Sequence, residues 1–241
     1  MNQIINVGEQ PNVYNIYVSS FNNPERESKM IERFNQVGVG AQIYSNVVDD
    51  YRVKRIMDGG GDPTIKRTYG SFYSILCMIE DFYISDKEYG VFLENDVYLH
   101  KNLKDELTYA CYKLTELNLD ILLVGYLLNT TPENYGCRLV HTDNFNNFYQ
   151  YDDHLWGSHG FILNKKQAKY FKDKYTVEYA LDPSRVEIMC SDWVFTKASK
   201  NRMLLFPPLI VEEGIVETDH EGQIRFHQEC KDYLYNDQFT A

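Results

Sequence analysis

The spacing of apolar and polar positions divides the chain into alternating strand-like and helix-like segments. Residues 13–20 (VYNIYVSS) form an apolar, aromatic and β-branched run that predicts a first strand. Asn22-Asn23-Pro24 then signals a helix start, with Asn23 as N-cap and Pro24 at the first helical position. Met30, Ile31, Phe34 and Val37 give that helix one apolar face, and Gly38 ends it. Residues 41–48 predict a second strand, so the opening reads as a right-handed parallel unit. Phe72, Ile75, Leu76, Ile79, Phe82 and Tyr83 recur at helical spacing and lead into residues 90–101, GVFLENDVYLHK. There a short apolar run, Gly90 to Leu93, predicts a buried strand that ends on Glu94-Asn95-Asp96 before the pattern resumes at Val97, Tyr98 and Leu99.

Asn102 reads as the cap of a helix striped by Leu103, Leu107, Ala110, Leu114 and Leu117. Asp120 to Leu128 predicts a further buried strand. Residues 129–154, rich in Asn, Thr, Tyr and Asp, are expected to be irregular and to shape an acceptor side. Trp156 to Leu163 predicts a strand, followed by a helix capped at Asn164. Ser191 is expected to cap a short helix, and Met203 to Val211 reads as a last strand interrupted by Pro207-Pro208. No repeat, low-complexity tract or linker divides residues 1–241. The expectation is one α/β domain with a mixed, mostly parallel sheet flanked by helices.

Composition narrows the function classes. Hydrophobic residues make up 44% of the 241, enough for a sizeable core. The net charge of −11, from 24 basic and 35 acidic residues, argues against a nucleic-acid or anionic-membrane partner. It also means that an anionic ligand needs local neutralisation. The five cysteines are odd in number and show no zinc spacing, a reduced-thiol pattern. The start, MNQIINVGEQPNVY, lacks a basic region followed by an apolar stretch. The apolar run Ile121 to Leu128 is far short of the roughly 18 residues that span a bilayer. These features suggest a cytoplasmic protein without a transmembrane segment, in the host cytoplasm if the source is viral.

The candidate chemistry gathers at strand ends. Two carboxylates two residues apart at a core strand's tip are costly unless something pairs with them. A hard cation, Mg²⁺ or Mn²⁺, takes such oxygens together with substrate phosphates. The bland alternative is an acidic strand end in an acidic protein. The metal reading requires Glu94 and Asp96 to face a cleft without being locked in ion pairs with Arg or Lys. Ligands of parallel sheets sit beyond the strands' carboxyl ends. Val18, Ser19 and Ser20, with Phe21, Arg26 and Asn95, are therefore the residues expected to meet a bound nucleotide. Arg33 reads as a solvated helix charge, and 58–63 (DGGGDP) as a surface loop. Asp153, in the cluster 150–154 (QYDDH), either binds acceptor hydroxyls or sits in a solvated turn.

The order of these pieces resembles glycosyltransferase family 25, over most of residues 13–212. NNPERESKM looks like the family's "NLdrR…R…m" start. TYGSFYSILCMIED resembles "G-ig-c-lSH", with Gly70 and Ser74 in place. FLENDVYL resembles "ILEDDV-l", GSHGFILNKKQAKYF is similar to "g-tHAYiis-kgAkkll", and SDWVF resembles a later "-D--l" segment. Ile75 stands where the family usually has His, and Asn95 replaces the central acid. The resemblance implies a GT-A fold with a nucleotide-sugar half, about 1–128, and an acceptor half, about 129–241. It implies transfer of a hexose or pentose from a nucleoside-diphosphate sugar, a UDP-sugar first, to a glycan or glycoprotein, dependent on Mn²⁺ or Mg²⁺. Asp96 is then the first choice as metal ligand, with Glu94 beside it and His220 or His227 as a possible third. Asp192 is the leading base for an inverting transfer, and His159, in a matching segment, falls on the acceptor side. The alternatives are an inactive carbohydrate-binding relative and a nucleotidyltransferase. Oligomeric state is not legible.

Overall fold

The structure is a computed structural model that describes residues 3–20, 23–45, 50–143, 146–216 and 218–241. Phe21, Asn22 and the end of the strand predicted at 41–48 lie outside the described residues.

The first unit forms as its sequence demands. Strand β1 (Gln3–Val7) precedes β2 (Tyr14–Ser19). Helix α1 (Pro24–Val37) starts at Pro24 because the Asn23 side chain accepts from the Arg26 amide, and it stops where Gly38 takes φ 63°. Strand β3 (Ala41–Ser45) lies parallel to β2. Helix α2 (Tyr51–Asp58), capped by Asp50, and a 3-10 turn at Pro63–Ile65 lead to α3 (Lys66–Ile84). Then come β4 (Tyr89–Glu94), β5 (Val97–Leu99), α4 (Leu103–Glu116) and β6 (Ile121–Leu127). Strands β7 (Arg138–Asp143), β8 (Asn146–Gln150) and β9 (Trp156–Asn164) follow. Helices α5 (Lys165–Lys174), α6 (Val177–Leu181) and α7 (Ser191–Lys197), strands β10 (Arg202–Phe206) and β11 (Ile210–Glu212), and helix α8 (Glu221–Leu234) complete the chain.

Nine strands form one mixed sheet in the order β1-β3-β2-β4-β9-β6-β10-β8-β7. Strands β3, β2, β4, β6, β10 and β7 run one way, and β1, β9 and β8 the other. Strand β9, from the second half of the sequence, sits between β4 and β6, so one sheet interleaves both halves. Alternate residues feed cores on opposite faces. Ile16, Val18, Val91 and Leu93 pack with α1 and α4, while Tyr17 and Phe92 pack with α3 and α5. On the second face Tyr17, Phe92, Phe161 and Phe195 stack in series at centroid spacings of 5.4, 5.2 and 6.1 Å. Among the described residues no helix is long and apolar enough to cross a membrane.

Several elements depart from the sequence reading. The stretch 129–154 carries the edge hairpin β7–β8. Every β7 residue is exposed or half-exposed, so no apolar alternation announces it. Strand β1 and helix α8 likewise bury few side chains and gave little periodic signal, whereas α2 buries Val53 and Ile56 at helical spacing, a signal the sequence reading passed over. The N-cap of α7 is Cys190, without a side-chain bond, and Ser191 is already helical. The last predicted strand is two, separated at the cis Phe206–Pro207 bond. Strand β10 joins the main sheet, whereas β11 leaves it to pair antiparallel with β5.

Candidate functional site

The pairing of β5 with β11 builds the site. It places Glu212 opposite Val97, and the Glu213 amide donates to the Asp96 carbonyl at 2.8 Å. Glu212 thus ends a strand beside the tip of β4. Arg26, Arg67, Ser71, Glu94, Asn95, Asp96, Glu212, Ile215, Val216 and His227 line the resulting cleft of about 260 Å³. Two of the larger hollows, of about 450 and 470 Å³, are lined by other segments around Tyr109 and Phe239 and around Gly8 and Phe34. Neither collects the strand-end carboxylates.

The two predicted acids have different partners. Asp96 Oδ2 pairs with Arg26 Nη1 at 2.9 Å. Its other oxygen, Oδ1, is buried and has no hydrogen-bond partner among the described residues. Among the described residues Glu94 accepts one long bond, 3.3 Å, from Ser158 Oγ and no ion pair. The requirement that both acids be free of ion pairs therefore holds for Glu94 among these residues and fails for one oxygen of Asp96. Arg26, expected to meet a bound nucleotide, pairs with Asp96 and lines the cleft.

Burial and mutual repulsion dominate the electrostatics. The Glu94 carboxyl is held well above its usual range, by burial first and then by Asp96, Asp192 and Glu212. Asp96 is pushed up to about 6, because burial, Glu212 and Glu213 outweigh Arg26. His227 Nδ1 lies 2.8 Å from Glu212 Oε2, and that hydrogen bond raises the imidazole. All three groups bind protons more tightly folded than unfolded, so their stabilising contribution is present at low pH and lost as pH rises. In EDTA, the stability of the parent relative to Glu94→Gln should therefore fall as pH rises from about 4 through 6 and beyond. Melting curves of both proteins across that range check this; a difference that grows in the parent's favour with pH would contradict the assignment.

The other expected site residues divide. Ser20 and Asn95 reach the strand ends but engage each other. Ser20 Oγ donates to Glu27 Oε1 at 2.7 Å and accepts from Asn95 Nδ2 at 3.1 Å, while Ser45 Oγ donates to the same Glu27 oxygen at 2.7 Å. This network ties the carboxyl ends of β2, β3 and β4 to α1. Ser19 is buried beside it with its hydroxyl unpartnered among the described residues. The Val18 side chain is wholly buried in the apolar core, not in the cleft. Asp153 pairs with Arg202 at 2.6 Å and lines a separate hollow with Tyr151 and Lys200, away from these carboxylates. His220 is exposed at the start of α8, and it is His227, two turns on, that reaches the cleft.

Asp192, at the start of α7, lies near enough to act on Glu94, His159 and His227. His159 is buried under the same acids and lowered by burial, its Nε2 unpartnered among the described residues. Gly125 and Gly157 make room for that ring. A Cβ at Gly125 would come within 2.9 Å of its Cδ2, and one at Gly157, at φ 98°, within 3.1 Å of its Cε1 and Nδ1. Sequence reasoning missed Arg67, Ser71 and Glu212. Arg67 and Ser71 carry no motif, but Glu212 could have been found by the rule that singled out Glu94, an acid closing an apolar strand.

No family model and no curated protein matches the chain. The resemblance to glycosyltransferase family 25 therefore rests on its segments alone. Among solved structures, a glycosyltransferase involved in glycosylation of the major capsid of PBCV-1 is similar at 10% identity, 90% coverage of this chain, 98% of the other and TM-score 0.44. CMP:2-keto-3-deoxy-manno-octonic acid synthetase complexed with CTP matches at 11% identity, 80% and 89% coverage and TM-score 0.39. HddC from Yersinia pseudotuberculosis matches at 14% identity, 92% and 100% coverage and TM-score 0.36. At these values the likenesses assign no activity.

Proposed function

We propose that this chain is a metal-dependent glycosyltransferase that moves a hexose or pentose from a nucleoside-diphosphate sugar, a UDP-sugar first, to a hydroxyl of a glycan or glycoprotein. One observation carries the reading: Glu94 and Asp96, at the carboxyl end of central strand β4, open on a cleft shared with Arg26, Arg67, Glu212 and His227. The donor set fits a hard cation, Mn²⁺ or Mg²⁺. It offers the unpartnered Asp96 Oδ1, the Glu94 and Glu212 carboxylates and one imidazole. Among the described residues no three His, Cys, Asp or Glu side chains form a ready metal cluster. A cation held by one or two carboxylates and completed by water and phosphate oxygens needs none. When bound, such an ion supplies Lewis-acid stabilisation to the charge developing on a departing diphosphate.

The chain's own groups divide the remaining work. Arg26 and Arg67 bring positive charge to the phosphate side of an otherwise acidic cleft. Asp192, near enough to Glu94 to act on its charge, takes the acceptor hydroxyl's proton in an inverting displacement. The GT-A assignment belongs to the same reading: a mixed sheet with its acids at the carboxyl end of β4.

A panel of UDP-, GDP- and CMP-sugars tests this by thermal shift with and without Mn²⁺. The expected result is joint stabilisation of about 2.7 kcal/mol at a hundred times the dissociation constant. No shift with any donor plus metal would sink the proposal. Pyrophosphate release from a nucleoside triphosphate would point to nucleotidyl transfer. A donor left intact in the presence of acceptor would point to a binding protein.

A further inference from the structure

The chain has two tryptophans, and they lie side by side, each within two residues of a group that acts on Glu94. Trp156 opens β9, two residues before Ser158, whose hydroxyl bonds Glu94. Trp193 follows Asp192 in α7. Their ring centroids are 6.3 Å apart with planes tilted by 50°. Trp156 is 42% exposed, a large aromatic left in solvent. The ammonium of Lys197 fills the space against both rings, 3.8 Å from the Trp156 centroid and 4.6 Å from that of Trp193. That nitrogen is buried and has no hydrogen-bond partner among the described residues, so the ring faces are its contacts.

We propose that Trp156 and Trp193 form the subsite that receives the acceptor sugar, a pyranose laid with its C–H face on the indoles, and that Lys197 is the positioning residue that holds the pair. The inference rests on the glycosyltransferase reading and names the side on which the acceptor enters. Three features select this occupant. Lys197 lies 3.8 Å from the Trp156 ring centroid while Trp156 stays 42% exposed, which leaves apolar surface of the kind that matches a sugar's C–H face. A cationic ligand is disfavoured because the cation–π position is already filled. A flat base is disfavoured because rings tilted by 50° leave no parallel slot between them. Beside the platform, Asp192 supplies an acceptor for a sugar hydroxyl, the same group assigned to receive its proton.

Because both tryptophans belong to this patch, the protein's whole indole emission reports on it. The full chain is titrated with the methyl glycopyranosides of glucose, galactose and mannose, with acyclic sorbitol, and with uridine, cytidine and guanosine. At least one pyranoside should give a saturable change, while sorbitol and the nucleosides give none. Trp156→Leu, read through the remaining Trp193, should weaken the pyranoside about tenfold, and Trp156→Phe should recover part of the loss. The thermal shift with nucleotide-sugar and Mn²⁺ should be the same in these variants as in the parent. A flat response to every pyranoside, an equal response to sorbitol, saturation by a nucleoside alone, or unchanged affinity in Trp156→Leu overturns the proposal. If the donor and metal shift persists in the parent, the functional reading survives that failure; if it is absent there too, both fall.

Discussion

Asp96→Asn should abolish the metal-dependent part of donor stabilisation and lower transfer by on the order of a thousandfold, the scale expected when one charged contact to the reacting group is lost. The reason lies in the geometry. Asp96 is the strand-end acid with one oxygen on Arg26 and the other buried without a partner among the described residues. Asn keeps the shape and offers a neutral oxygen, so the fold should persist while the attraction for a divalent ion goes. Asp192→Asn makes the contrast. Donor and metal should still raise the melting temperature as in the parent, while the transfer rate falls with little change in the donor's KM. Thermal shift and initial rates on the same preparations separate the two. If Asp96→Asn retains the full metal effect, Asp96 is not a ligand, and the Arg26 pair is its whole role.

Arg33→Met should cost about 3–5 kcal/mol of stability, the usual penalty for stranding one partner of a buried ion pair. For a chain of this size that corresponds to a drop of about 10 °C in Tm. Arg33 Nη1 meets Glu213 Oε1 at 2.7 Å, with side-chain exposures of 5% and 8%. The same nitrogen donates to the Val97 carbonyl at 2.9 Å, and Nε reaches the Ala241 carbonyl at 3.3 Å. The guanidinium also lies 4.4 Å from the Tyr98 ring centroid. One side chain therefore ties α1 to β5, to the end of β11 and to the last residue. Arg33→Met combined with Glu213→Gln should be more stable than Arg33→Met alone, because no uncompensated carboxylate remains buried. Denaturant unfolding of the three variants decides it. A single variant as stable as the parent would mean that the pair contributes nothing.

Arg33 also shows where sequence reading stopped. Its position on an amphipathic helix suggested solvent, yet it is buried because the segment past β11 folds back against α1. That contact joins residues 180 positions apart, and no local period encodes it. The same holds for Glu212, brought to Asp96 only because β11 leaves the main sheet to pair with β5. Asp153 met the second of its two readings: it sits exposed in a turn, paired with Arg202 beside another hollow. His220 and His227 were equal candidates as the third ligand in the sequence reading. Helix α8 separates them, with one imidazole exposed and the other on Glu212.

What the chain declared on its own was local. The Asn23-Pro24 start and Gly38 stop of α1, the buried strand that finishes on Glu94, and the helical stripes of α3 and α4 follow from capping, glycine conformation and apolar period, which act within a few residues. The mixed sheet between helices followed from the succession of those segments. Which strands became neighbours, which acids converged and which arginines were buried with them was left to the tertiary structure. Those outcomes depend on desolvation and pairing among residues far apart in sequence, and such energies exist only once the distant partners meet.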